Sequence, residues 1–599
     1  MQKYRIHPIF FLLSIIWGAS CTPKNTKPTY LNHHDSTEYV GMNTCRSCHE
    51  DKYNTFMHTG MGQSFFLATP EKSIAKFENI NPVYDSFSNF YYYPFWDKDT
   101  LYFKEFRLDN KDTTHLLVKR IDYIIGSGHH TNSHLYQENG YLYQAPLTWY
   151  AQKGQWGLPP GFENGQNTRF SRKLDEECMS CHNGLPKFEE NSGNFFEHIP
   201  MGIDCERCHG PGEAHIKKIA SGNITDTAKE IDYSIVNPGK LDWKAQMDVC
   251  QRCHLQGNAV LKEGKHFTDF KPGMRLSDYF NVFLPAYEEE NNFIMASHVE
   301  RLNASKCFIE SNKEGSTNNL TCITCHNPHK SVRETSNSFF NAKCKSCHND
   351  GKDCKEIVSR PLFEEENCIS CHMASSGTKD IPHVQIHHHK IVIPNTEKSK
   401  ENGKLIGLKV LNNTSPTDQE MLQGYITYFE KFEQNKLYME KANDLLEKGN
   451  NETKIHYYYN LSDYKSIIKI AYNTKPSDVK QAWTFYRIAT AYGKENQWTN
   501  AEEWADSLVI RAPRNLDFLN KAVEVKLRKK NLAGANEILT KLLKYNPNHE
   551  ITLIHAAKFW LAKENKEKAN YIKLNCFYIF WRNNNDWWLF VFKECVFKT

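Results

Sequence analysis

A mainly α-helical chain, with irregular loops packed around bound groups, a β-rich insert and a trailing α-solenoid, is what this sequence predicts. Three observations carry that prediction. Seven C-x-x-C-H sequences lie between Cys45 and His372. Runs of aromatic and β-branched residues fill the gap between the first and second of them. Behind the last, small and apolar residues return at intervals of 34.

At 599 residues the chain is long enough for more than one domain, and 40% hydrophobic content suits a folded protein. Lys and Arg number 74 against 70 Asp and Glu, a formal charge of +4 that offers no grip on nucleic acid. Lys3 and Arg5 precede an apolar run from Ile9 to Trp17, broken only by Ser14. That run is too short for a bilayer, which takes about 20 residues, so residues 1–20 read as an export signal. Gly18-Ala19-Ser20 before Cys21 is similar to a bacterial lipobox, with Gly18 where Leu is usual. Cys21 is then the lipidated first residue of the mature chain. The alternative is an ordinary secretory signal with an incidental Cys21. Residues 21–40 are polar and read as a tether.

Residues 41–395 form the motif-bearing module. Its insert, at about 79–150, carries Phe90-Tyr91-Tyr92-Tyr93, Leu101-Tyr102-Phe103 and Leu116-Leu117-Val118 between polar turns. Asn139-Gly140, between Leu135-Tyr136 and Tyr141-Leu142-Tyr143, is a hairpin signal. From Cys178 onward six motifs crowd together with little periodic patterning. Such segments use stacked porphyrins as much of their apolar core.

The motifs are Cys45…Cys48-His49, Cys178…Cys181-His182, Cys205…Cys208-His209, Cys250…Cys253-His254, Cys322…Cys325-His326, Cys344…Cys347-His348 and Cys368…Cys371-His372. Two thiols three apart on one turn reach the two vinyl groups of a porphyrin, and the adjacent His binds the iron axially. Zinc sites and disulfide frameworks do not demand His after the second Cys every time. Seven covalently attached c-type haems are therefore expected. Each oxidised haem adds about −1 of charge, which turns the surface mildly acidic and suited to redox partners. Cys21, Cys307, Cys354, Cys576 and Cys595 remain, and Cys307 and Cys354 are a candidate disulfide.

Sixth ligands decide between electron carriage and catalysis, because a bis-His haem is saturated and an open one binds substrate. His58 follows the first motif by nine residues; His215 follows Cys-His-Gly-Pro-Gly-Glu-Ala, and His329 follows Cys-His-Asn-Pro. His298, His383 and His389 are the next candidates. His130 and His134, on the insert, are the remaining pair, of which His134 is placed in the distal set.

Residues 396–410 read as a linker and 411–574 as the helical array. Ala501, Ala535 and Ala569 are 34 apart, as are Leu508 and Leu542, and Pro513 and Pro547. Small residues let paired helices approach, and Pro ends the second helix of each unit. The pattern resembles tetratricopeptide repeats. Helices around 416–448 and 455–472 are expected to stack on the array outside its register. The tail, 575–599, is too apolar for an exposed capping helix and is expected to be an out-of-frame or truncated end.

Cys205-Glu206-Arg207-Cys208-His209-Gly210-Pro211-Gly212, Cys322-Ile323-Thr324-Cys325-His326-Asn327-Pro328-His329, and Cys368-Ile369-Ser370-Cys371-His372-Met373 with Asp380-Ile381-Pro382-His383 carry a wider resemblance. Residues 40–395 resemble exported multihaem cytochromes with C-terminal tetratricopeptide repeats. More distantly they are similar to the superfamily of hydroxylamine oxidoreductase, pentahaem nitrite reductase and tetrahaem carriers. The resemblance implies closely packed haems, with His329, His383 and His389 as distal ligands. His388 stands where Asp is usual.

The expected function is extracytoplasmic electron transfer, with the repeats docking redox partner proteins or a membrane-bound electron-transfer complex. The alternative is an oxidoreductase acting on small nitrogen or sulfur compounds at one open haem, where the His-rich run His129-His130-Thr131-Asn132-Ser133-His134 would deliver protons and attract an anion. Expected location is the periplasmic side or cell envelope of a bacterium, held to a membrane by lipid on Cys21.

Overall fold

Aromatic alternation builds the first recognisable unit. In this computed structural model, which describes residues 29–109, 112–289, 297–348, 367–377, 385–393 and 403–580, the insert is two antiparallel sheets. One has the order β2-β3-β4-β5, from Val83–Asp85, Phe90–Asp97, Thr100–Asp109 and Asp112–Ile121. The other runs β1-β6-β7-β8-β10, from Phe65–Leu67, Tyr123–Ile125, Thr131–Glu138, Tyr141–Tyr150 and Arg172–Lys173, with β9 (Gln155–Gly157) beside β8. Side chains alternate between faces, so Phe90, Tyr92, Leu101 and Phe103 point inward to meet Tyr143, Leu147, Trp149 and Trp156. The insert is wider than residues 79–150, because β1 pairs with β6 (Phe65 opposite Ile125) and β10 with β8. Its β7–β8 turn is Asn139-Gly140, with φ of 50° and 93°, the left-handed pair that such tight turns require.

A second junction replaces the expected linker. Residues Leu405–Val410 form a strand, β17, that pairs with β14 (Phe280–Tyr287), which also pairs with β13 (Asn258–Leu261). Phe283 of β14 packs in one core with Leu422, Tyr425, Ile426 and Tyr438 of the following helices. The segment at 405–410 is therefore shared sheet.

Helix pairs then follow: Asn451–Asn460 with Tyr464–Tyr472, Ala482–Lys494 with Trp498–Arg511, Leu516–Arg528 with Leu532–Tyr545, and Glu550–Ala562 with Lys566–Phe580. Ala501, Ala535 and Ala569 are fully buried at the close approaches. The turns inside the four pairs carry Ser462, Asn496, Lys530 and Glu564, all at positive φ and 34 residues apart. The pair at 451–472 thus sits in register, contrary to the expectation, with buried Ile467 where the later repeats have Ala. The pair Asp418–Lys431 and Lys436–Leu445 stands outside that spacing.

Loops of the array press on the insert. The Tyr141 hydroxyl donates to the Arg514 carbonyl at 2.7 Å, Asn139 Nδ2 to the Tyr545 carbonyl at 3.1 Å, and Asn515 Nδ2 to the Asn191 carbonyl at 2.8 Å. Arg514 lies 4.2 Å over the Phe195 ring, and Lys173 pairs with Asp517 at 2.5 Å. One apolar core runs from the insert into the repeats. No helix among the described residues is long and apolar enough to cross a membrane.

Candidate functional site

Each attachment motif is a turn of helix, which is what puts its two thiols on one side. The amide of the motif His bonds back to the first Cys carbonyl in Cys45/His49 (2.9 Å), Cys205/His209 (3.0 Å), Cys322/His326 (2.9 Å) and Cys344/His348 (2.9 Å). Side chains cap the starts: Asp175 accepts from the Cys178 amide, Asp242 from Lys244 and Ala245, and Asn367 from Ser370.

All seven motifs turn onto one connected cavity of about 4350 Å³. A cleft for one ligand holds about 300–1,000 Å³, so this space takes several large groups side by side. Thiols of different motifs meet across it. The Cys45 side chain lies close to that of Cys205, Cys181 to Cys253, Cys250 to Cys322, and Cys344 to Cys368. Cys208 lies within electrostatic reach of Cys253, and Cys325 of Cys344. The contacts give a run of motifs in the order first, third, fourth, fifth, sixth, seventh, with the second touching the fourth. Cys307 lines the same wall, near Cys347. Among the described residues, no three His, Cys, Asp or Glu side chains converge as a bare metal ion would need.

Seven further histidines line the cavity: His129, His130, His215, His298, His329, His387 and His389. Several are oriented by a bond at Nδ1, which leaves Nε2 for a metal. His389 Nδ1 bonds the His387 carbonyl at 3.0 Å, and His387 Nδ1 the Met373 carbonyl at 3.0 Å. Proximal His209 and His372 are held likewise, by the Val236 carbonyl (2.8 Å) and the Val392 carbonyl (2.9 Å). His215 Nδ1 instead meets Ser234 Oγ at 3.1 Å and Asp232 at 3.4 Å. Burial raises the Asp232 carboxyl, but Ser234 and Lys218 outweigh it and hold the group at about 2. Burial takes His298 down to about 3 and His389 to about 4, so both imidazoles are neutral, the form that binds metals.

Three pairs of rings stand apart by a distance with chemical meaning. His209 and His329 have ring centres 6.0 Å apart and nearly parallel (15°). His254 and His298 are 5.9 Å apart, and His326 and His389 6.3 Å. With metal–nitrogen bonds of about 2 Å, two imidazoles on one iron have ring centres about 6 Å apart. His298 Nδ1 is buried without a partner. The donor set and its spacing therefore fit haem.

Two sequence candidates lie elsewhere. His134, on β7, points into the insert core against Phe103 and Trp156, with Nδ1 on the Leu147 carbonyl at 3.2 Å. Burial lowers it to about 3. His58 is exposed and pairs with Glu334 at 3.1 Å. Neither lines the cavity. His383 and Cys21 fall outside the described residues, as does Cys354 of the candidate disulfide. Asp232 and Ser234, which orient His215, carry no motif signal in the sequence, whereas His129 and His387 are legible there as members of the His-rich runs 129–134 and 387–389.

No family model matches the chain. Over 235 residues, 36% of its length, it is 25% identical to Multiheme cytochrome MtrA of Shewanella baltica (strain OS185), and it spans 58% of that relative. Among solved structures, MamA 41-end from Desulfovibrio magneticus RS-1 is 14% identical over 27% of this chain and 96% of that one, with a TM-score of 0.23. YrrB, a TPR protein with an unusual peptide-binding site, is 16% identical over 27% and 77%, with a TM-score of 0.20. Structural likenesses of this size carry no argument. The cytochrome match is a likeness to a multihaem cytochrome over part of the chain, and the paired helices with their 34-residue register form a helical repeat region.

Proposed function

We propose that the chain is a seven-haem c-type cytochrome that carries electrons outside the cytoplasm and docks to redox partners through its helical repeats. The observation that carries this reading is that each of the seven motifs puts at least one Cys and its His on one cavity, with side-chain thiols of different motifs close together. When bound, haem supplies one-electron chemistry at iron. The protein's part would be to hold the groups on one wall and supply imidazoles to them. His209 with His329, His254 with His298, and His326 with His389 would hold iron. His215, turned to the cavity by Ser234 and Asp232, would supply a further imidazole. Cys21 anchors the chain by lipid to a bacterial membrane, where a membrane-bound complex is the natural partner. Pull-down of a native redox partner by the intact chain, lost when exposed residues of the array such as Trp483 and Tyr472 are changed, tests the docking role. Unchanged capture speaks against it.

One observation favours a second activity. His129 and His130 line the cavity beside Arg333, whose Nη2 donates to the His129 carbonyl at 3.1 Å. Burial first, and the Arg333 charge second, lower both imidazoles. Such a wall suits a small nitrogen or sulfur anion at an open haem. His134 takes no part in it. Electron paramagnetic resonance of the oxidised protein, with and without nitrite, separates the readings: seven low-spin, unresponsive irons leave electron carriage alone.

A further inference from the structure

Two arginines sit inside attachment motifs, Arg207 between Cys205 and Cys208 and Arg252 between Cys250 and Cys253. Both are turned inward, at 8% and 6% exposure, and both line the cavity. They converge on one acceptor. Arg207 Nη2 donates to the Ser180 carbonyl at 2.6 Å and Arg252 Nη1 to the same oxygen at 3.0 Å. Ser180 belongs to the second motif, Cys178-Met179-Ser180-Cys181, so a single carbonyl joins the second, third and fourth motifs. Arg252 Nη2 also donates to the Phe267 carbonyl at 2.6 Å.

These partners satisfy hydrogen bonds without cancelling charge. Among the described residues, the bonds of both guanidiniums go to carbonyl oxygens and the Cys253 sulfur, and the Nε of each is buried without a partner. The nearby carboxylates Asp204 and Glu206 keep their charge and act on the third-motif thiols Cys205 and Cys208, but among the described residues they form no ion pair with either guanidinium. Glu206 accepts from the amides of Val40, Gly41 and Gly212, and Asp204 from those of Glu206 and Arg207. A buried charge acts through an effective permittivity of about 20, well below that of water, so it is felt at neighbouring groups. The thiols Cys181 and Cys253, close to each other, lie within that reach of Arg252.

We propose that Arg207 and Arg252 make the place where the second and fourth motifs meet the most readily reduced part of the molecule. Their fixed positive charge favours an added electron on the irons attached there. Ferric iron takes one electron from the external reductant and becomes ferrous, with no bond made or broken. The proposal rests on haem attachment at these motifs.

Stepwise spectroelectrochemical titration of the haem-loaded protein tests it, after a haem count on each sample. Arg252→Gln and Arg207→Gln each shift the redox equilibrium of two haems toward the oxidised form by about tenfold, 59 mV for a one-electron couple. Arg252→Lys keeps most of the wild-type value, because it keeps the charge. A separate arm needs neither arginine changed. In His182→Met the ligand of the second motif is altered, and the first reduction step moves while the low-potential steps stay in place. Unmoved potentials in fully loaded Gln variants overturn the proposal, as does a Lys variant that shifts as far as Gln, or a His182→Met change confined to the low-potential end. A wild-type protein without haem speaks against attachment instead, so the two failures are distinguishable.

Discussion

Glu105 shows how much a single buried group holds in place. It is fully buried on β4, accepts from Arg169 and bonds His115 at 2.9 Å, while Arg107 and Arg169 cover the Phe90 ring at 4.2 and 4.4 Å. Burial pushes its carboxyl up, but the Arg169 guanidinium and His115 prevail and hold it well below the usual carboxylate range. Breaking a buried pair leaves an uncompensated charge, so Glu105→Gln is expected to cost about 3–5 kcal/mol, read from chemical denaturation. Because the folded pKa is depressed, the stabilisation is complete above the unfolded value of about 4.3. It is lost as pH falls from there through the folded value. Acid unfolding of the wild type should therefore begin in that window, and the Gln variant should lack this component.

A second expectation at this scale concerns the ligand pairs. His329→Ala removes the ring opposite His209, so one low-spin signal is replaced by a high-spin one in electron paramagnetic resonance. An unchanged spectrum removes His329 from the ligand set. The proposed attachment cysteines and their histidines are legible as a pattern because C-x-x-C-H fits within about one turn. The histidines proposed opposite them stand on other elements, and sequence distance misleads there. His58, nine residues from a motif, turns to Glu334. His134 shares its strand parity with Asn132 and Tyr136, both buried, and that period of two points it into the insert core.

At the scale of elements, close packing rather than propensity decides where the repeats join the module. A Cβ on Gly424 would lie 2.4 Å from the Phe283 ring, itself fully buried. Gly424→Ala is expected to destabilise by about 1–3 kcal/mol, through overpacking of a ring that has nowhere to move. Thermal unfolding checks this against Gly60→Ala, where a Cβ meets neighbours no nearer than 3.5 Å and the backbone is in an ordinary conformation. The array itself was legible from Ala501, Ala535 and Ala569. Its first unit was not, because Ile467 replaces Ala and Val479 stands where later repeats have Pro, although Ser462 keeps the turn. Strand β17 escaped for another reason. Residues 405–410 are too short to declare themselves, and β14 across the chain supplies their partner.

For the whole molecule, the module and the array are fused rather than tethered. Sheet β13-β14-β17 and the core from Trp149 to Leu519 cross the expected boundary. A chain ended at Lys404 is therefore expected to expose Phe283 and the insert's array-facing side, and to aggregate or lose thermal stability. A truncated protein that melts with the intact one would contradict that fusion. The repeats thus brace the motif-bearing module.

Intact-protein mass spectrometry with a pyridine haemochromogen assay measures the occupancy of the cavity most directly. Protein matured in a host that attaches c-type haem should carry seven haems per chain, one for each motif from Cys45 to His372. Cys181→Ala together with Cys178→Ala should leave six. A chain carrying zinc or disulfides in place of haem, or a count untouched by that double change, would contradict the account.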